Sequence, residues 1–161
     1  MTGRSAEVTQ WTKALREAVY HALIDPTALA VWLPPDGMTG AVHQYDPRPG
    51  GRFRLSLTYD DPSGEVRGKS SVGTDTVEGR FAEIRPFEAV VWVTTFDSPD
   101  PAFAGEMSIT WSLADANGGT AITVLCEGIP EGIRLEDNET GSAHSLRKLS
   151  AFVEGGVGNH A

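Results

Sequence analysis

The chain has 161 residues, of which 40% are hydrophobic and 22% charged, the size and make-up of one soluble globular domain with a sizeable core. Its net charge is −9, with no cluster of Lys or Arg, which argues against nucleic acid and anionic membrane surfaces as partners, since both select basic patches. Residues Met1 to Ser5 carry no apolar leader core and no apolar run approaches about 18 residues, while the single cysteine, Cys126, excludes internal disulfides, so a cytoplasmic protein is expected. Asn138-Glu139-Thr140 matches a glycosylation sequon and, without a leader, reads as chance.

In chain order, Glu7 to Lys13 reads as a first strand, with Val8 and Trp11 as its largest apolar members. Arg16 to Leu23 has helical spacing. Asp25-Pro26 then supplies a cap followed by proline at a first helical position, predicting a short helix to Trp32. Leu33-Pro34-Pro35 stops it. His43 to Asp46 reads as a strand ending in the turn cluster Pro47 to Gly51. Arg52 to Tyr59 alternates cleanly, with Phe53, Leu55, Leu57 and Tyr59 on one face.

Asp61-Pro62-Ser63-Gly64 suits a type I turn, and Glu65 to Thr74 reads as a mobile loop or loose hairpin. Strands follow over Asp75 to Ile84, Val90 to Phe96, Glu106 to Ala114 and Ala121 to Glu127. Ser98 to Ala104 is a loop between them, and Asn117-Gly118-Gly119 a hairpin turn. The run around Trp92 is apolar on both faces, so either Trp92 or its neighbours Val91 and Val93 face inward.

Asp137 to Glu154 reads as one long amphipathic helix. At about 100° per residue, Leu135, Glu139, Ser142, Leu149 and Val153 fall on the face of Leu146, so that stripe must be buried on the sheet. The pattern as a whole is a single α+β domain with an antiparallel sheet.

Several short motifs occur in an order that resembles the START-like (SRPBCC) superfamily. They are Ala18-Val19-Tyr20, Asp25-Pro26 leading to Trp32, Pro49-Gly50-Gly51-Arg52-Phe53 and Val77-Glu78-Gly79-Arg80-Phe81. Later come Ala104-Gly105-Glu106-Met107, Gly118-Gly119-Thr120, and Gly141 with Ser145-Leu146 and Leu149. The chain looks most like the branch named after the activator of the heat-shock-protein-90 ATPase, over roughly residues 7 to 154. The resemblance implies a helix-grip fold: a curved antiparallel sheet of six to seven strands around the C-terminal helix, with two short helices after the first strand. Relatives often carry Ala-Pro where this chain has Ala14-Leu15, and a tryptophan just after the helix glycine, where this chain has Ser142.

Such a sheet is about 29–34 Å wide at about 4.8 Å per strand, whereas a helix with its side chains is only about 10–12 Å across. One helix cannot fill the concave face, so a cavity is expected between them. The candidate ligand-binding residues are Trp32 and Met38 at the helix-capped end, then Phe53, Leu55, Tyr59, Trp92, Met107 and Trp111 on the sheet. On the helix side they are Glu139, Ser142, Leu146 and Leu149. Glu139 also suits the first helical turn, where the helix dipole favours a solvated carboxylate. Aromatic residues at such positions serve equally as plain core.

Gly64 to Ser70 looks like a phosphate-binding loop but has three residues between its glycines where the motif needs four, and no helix follows. His21, His43, His144 and His160 show no ligand spacing, so no metal or cofactor is expected. By helical phase His144 points away from the apolar stripe, and His21 lies outside the first helix. His43, near the start of a strand, is the candidate to face the cavity as a base. Glu78 and Arg80 share a strand face, where they pair with each other or with a neighbouring strand. Cys126 reads as a small buried hydrophobe.

Three functions compete. The first is binding of a small hydrophobic ligand, lipid-like or otherwise. The second, which the resemblance implies for some superfamily members, is a cyclase- or hydratase-type enzyme using a polar cavity residue; no catalytic residue is assigned. The third is a chaperone-associated role, ranked last because the namesake's extra N-terminal domain has no counterpart in residues 1 to 6. The expected partner is a small hydrophobic molecule, and self-association as a homodimer stays open. A purely apolar cavity favours the first function, and a buried carboxylate or histidine in it the second.

Overall fold

The computed structural model describes residues 4–34, 37–60, 74–96 and 100–155. Strand β1 (Ser5–Thr12) is followed by helices α1 (Arg16–Ile24) and α2 (Pro26–Trp32), and then by β2 (Met38–Tyr45), β3 (Arg52–Tyr59), β4 (Thr74–Arg85), β5 (Ala89–Phe96), β6 (Met107–Ala116) and β7 (Gly119–Glu127). Helix α3 (Leu135–Val153) closes the described chain. The sheet is antiparallel, in the order β1-β7-β6-β5-β4-β3-β2. With α3 held in its concave face, this half-barrel is the helix-grip fold.

Local chemistry explains most of these boundaries. The Asp25 carboxylate accepts from the Thr27 backbone N–H at 2.9 Å, and Pro26 takes the first position of α2. Asn117 and Gly118 both adopt left-handed backbone, φ 49° and 81°, the conformation a tight β6–β7 hairpin needs. Register shifts between Val42 and Gln44 and between Phe81 and Glu83 bend the sheet.

Strand β2 begins at Met38, earlier than the expected His43, because Met38 to Val42 pair opposite Tyr59 to Leu55 and extend the hairpin. The bulge at Val42/Gln44 leaves His43 exposed on the outer face, its Nε2 2.8 Å from Ser56 Oγ. It therefore does not face the cavity. The turn expected at residues 61–64, the loop at 65–73 and His160 lie outside the described residues, while Thr74 already belongs to β4.

One continuous core runs from α1 and α2 through the sheet to α3. Helix α3 lies against β1, α1 and α2, with Leu146 and Leu149 fully buried. Its middle and its C-terminal end are tied down: Ser145 Oγ donates to the Leu33 carbonyl and Lys148 Nζ to the Pro34 carbonyl, while Glu154 accepts from Thr12 Oγ1 and the Lys13 backbone N–H. Glu78 pairs with Arg54, and Arg80 with Glu106, so both bond to neighbouring segments and not to each other. These exposed pairs contribute little to stability.

Candidate functional site

A cavity of about 530 Å³ lies between the N-terminal half of α3 and the sheet, within the usual range for small-molecule sites. Alternation along the strands sets its walls. Trp92 is buried on the concave face of β5, which settles that strand's register, and Val91 and Val93 turn outward, half-buried. Leu55, Leu57 and Tyr59 come from β3, Met107, Ile109 and Trp111 from β6, and Val124 and Cys126 from β7. Phe96 and Phe103, whose ring centres are 6.2 Å apart, border it near the turn at Pro101–Phe103.

Behind this lining is a continuous aromatic layer. Trp32 stands edge-on to Trp111 at 5.2 Å, Trp111 meets Trp92 at 5.3 Å, Trp92 meets Phe53 at 5.0 Å, and Phe53 meets Phe81 at 5.4 Å. Tyr45 joins it through Phe81, and its hydroxyl donates to the Leu23 carbonyl at 2.6 Å. Burial pushes the Tyr45 phenol above its ordinary range, so it stays a protonated donor.

The polar side of the cavity is the flank of α3. Asn138, Ser142, His144 and Ser145 border it. The Cys126 thiol faces this flank, hydrogen-bonded by the side chains of Asn138 and Ser142. Burial pushes its pKa up, and those two bonds offset the rise only in part. Asn138 Oδ1 is buried and has no hydrogen-bond partner, as is the Trp111 indole N–H. Asp75, 3% exposed, also borders the cavity, from the concave face of β4 opposite Leu57. Among the described residues, no group of three or more His, Cys, Asp or Glu is placed to hold a metal. No described helix is long and apolar enough to cross a membrane.

The twelve residues singled out from the sequence divide by position. Met38, Leu55, Tyr59, Trp92, Met107, Trp111 and Ser142 border the cavity. Trp32 and Phe53 are fully buried in the aromatic layer behind it, because Trp111 and Trp92 stand in front of them. Leu146 and Leu149 are packed core on the C-terminal half of α3. Glu139 is exposed, and so is Leu135 at 36%, because the stripe runs past the core at the start of the helix. His144, expected to point away, borders the cavity, which faces the flank carrying Asn138, Gly141 and Ser145 and meets the Leu146 face only at Ser142. His21 is exposed on α1.

The family described as Activator of Hsp90 ATPase homolog 1-like protein matches residues 13–154. The chain belongs to that family. A crystal structure of a protein from Chromobacterium violaceum is 33% identical, with a TM-score of 0.82, over 93% of this chain and 96% of that one. The solution structure of a family protein from Aeromonas hydrophila is 17% identical, TM-score 0.71, covering 98% and 99% of the two chains. DynU16, a protein of the dynemicin biosynthetic locus, is 18% identical with a TM-score of 0.67, over 94% of this chain and 48% of its own. These last two likenesses show the fold alone. No curated protein matches the sequence.

Asp75 and Asn138 are among the cavity residues that the sequence does not single out. Asp75 sits two residues before Val77 in the alternation Asp75, Val77, Gly79, Phe81, so its inward direction was readable. Asn138 was read only as part of a sequon. Its place on the cavity flank depends on how α3 docks, which no local pattern encodes.

Proposed function

We propose that this chain binds a small, flat, mostly apolar molecule with one polar end, held between α3 and the sheet. The carrying observation is the cavity of about 530 Å³, with aromatic and aliphatic side chains on its sheet side and Asn138, Ser142 and Ser145 on its helix side. An apolar wall supplies affinity through burial, and a few polar groups fix orientation. Ser142 matters because it is a small residue bordering the cavity, where a large ring would fill the space. The test is native mass spectrometry of the purified protein for a co-purified ligand, together with Nile red binding. Wild type should bind the dye, and a folded Ser142→Trp protein should lose most of that binding. Unchanged binding would place the site elsewhere.

A cyclase- or hydratase-type reaction is the second reading. It is favoured by the buried Asp75 carboxylate and the His144 imidazole, two acid–base groups bordering the same cavity. Incubation with any co-purified ligand should then give an isomer or a product heavier by one water. Asp75→Asn or His144→Gln should stop conversion while leaving binding in place. Conversion at the wild-type rate in both variants would remove these residues from the reaction.

A further inference from the structure

We infer that the cavity selects the polar end of its ligand by charge and by hydrogen-bond direction: it takes a neutral group that donates a proton, an alcohol or phenol, and rejects a carboxylate. Asn138 is the residue that makes the choice. This rests on the binding reading above and adds the ligand's chemical class to it.

The first observation is Asn138 Oδ1, a buried acceptor with no partner at the cavity flank. The same side chain and the Ser142 hydroxyl lie beside the Cys126 sulfur. A buried acceptor without a partner is costly, and a ligand that donates to it recovers that cost.

The second observation is the neighbouring donor. Trp111 pairs in register with Val124, two residues from Cys126 on the same face of β7, so the indole and the thiol are diagonal neighbours. The Trp111 N–H is buried without an acceptor. A hydroxyl both donates and accepts, so one such group complements an unpaired acceptor and an unpaired donor.

The third observation is charge. Among the described residues lining the cavity there is no Lys or Arg, whereas Asp75 and Asp137 both border it. An anionic ligand would bring its charge out of water toward carboxylates and toward the lone pairs of Asn138, with no Lys or Arg among the described lining residues to compensate.

The test uses three probes of one shape: 2-naphthalenemethanol, 2-naphthoate and 2-naphthylmethylammonium, each displacing Nile red from the full-length protein near neutral pH. The alcohol should displace the dye at a concentration at least about tenfold below that of the carboxylate. Asn138→Leu, judged by the ratio of the two displacement concentrations whatever its own affinity for Nile red, should reduce this preference to under about threefold. Asn138→Asp keeps the acceptor and should retain the preference, which separates loss of the acceptor from a general disturbance of the site. Naphthoate binding as tightly as the alcohol, or an undiminished preference in a folded Asn138→Leu protein, would overturn the inference while leaving the cavity reading intact. Failure of wild type to bind Nile red or any of the probes would overturn both.

Discussion

Gly79 lies directly against the ring of Phe53: a Cβ at this position would stand 2.6 Å from Phe53 Cζ and 2.5 Å from the Val93 carbonyl oxygen. The glycine is there to let an aromatic ring cross the strand opposite it. Phe53 in turn supports Trp92, which borders the cavity. Gly79→Ala should therefore cost about 1–3 kcal/mol by overpacking, read from a denaturant titration. Phe53→Leu in the same chain should recover only part of this, because the Val93 oxygen remains. Unchanged stability in the single variant would mean that β4 and β5 yield more easily than this contact implies.

Leu146 and Leu149 are the anchors of α3, both fully buried. Truncating either to alanine removes buried methyl groups and leaves a void, costing about 2–5 kcal/mol. Glu139 falls on the same helical face but is exposed, so Glu139→Ala should change stability by less than about 0.5 kcal/mol. Denaturant titrations of the three variants would show the contrast. A small loss at Leu146 would mean that the helix is not held by this stripe.

The C-terminal end of α3 predicts a pH dependence. Glu154 accepts hydrogen bonds from Thr12 Oγ1 at 2.7 Å and the Lys13 N–H at 3.0 Å, and these hold its carboxyl below the ordinary value of 4.5. A carboxyl with a lowered folded-state pKa adds stability above its ordinary value and loses it as pH falls through the folded-state value. Glu154→Gln should thus be less stable than wild type near neutral pH, by under about 1 kcal/mol since the group is exposed. The gap should close in acid, well below 4.5. Equal stabilities at neutral pH would show that the clasp contributes nothing.

Much of this architecture is legible residue by residue. Pro26–Trp32 and Arg52–Tyr59 have the bounds their sequences dictate, since a cap with proline and a strict alternation are local signals. The face of β5 was not legible, because Ala89 to Val93 is apolar throughout and offers no alternation to read. The start of β2 was missed because its residues Met38 to Val42 carry no strong strand pattern; pairing with β3 imposes it. On α3 the periodicity identified the packed face but not the cavity flank. The two are separate sides of one helix, and the placing of His144 and Asn138 on the second depends on how the helix docks against β1 and α2.

Cys126 offers a direct chemical readout of that flank. Its sulfur is buried, touched by Asn138 and Ser142, and borders the cavity. Burial raises its pKa, so near neutral pH it is a thiol, and the thiolate is the form that alkylates. Reaction with N-ethylmaleimide should run at least about tenfold slower in the native protein than in denaturant, and should quicken as pH rises toward the thiol's pKa. A molecule occupying the cavity should slow it further, by the factor set by its concentration over its dissociation constant. Adding 2-naphthalenemethanol to the native protein and following adduct formation by mass spectrometry measures this. Slowing that saturates with the alcohol would put the ligand against the Asn138 flank. An alkylation rate indifferent to a ligand that does displace Nile red would put it at the Phe96–Phe103 side instead, away from the thiol.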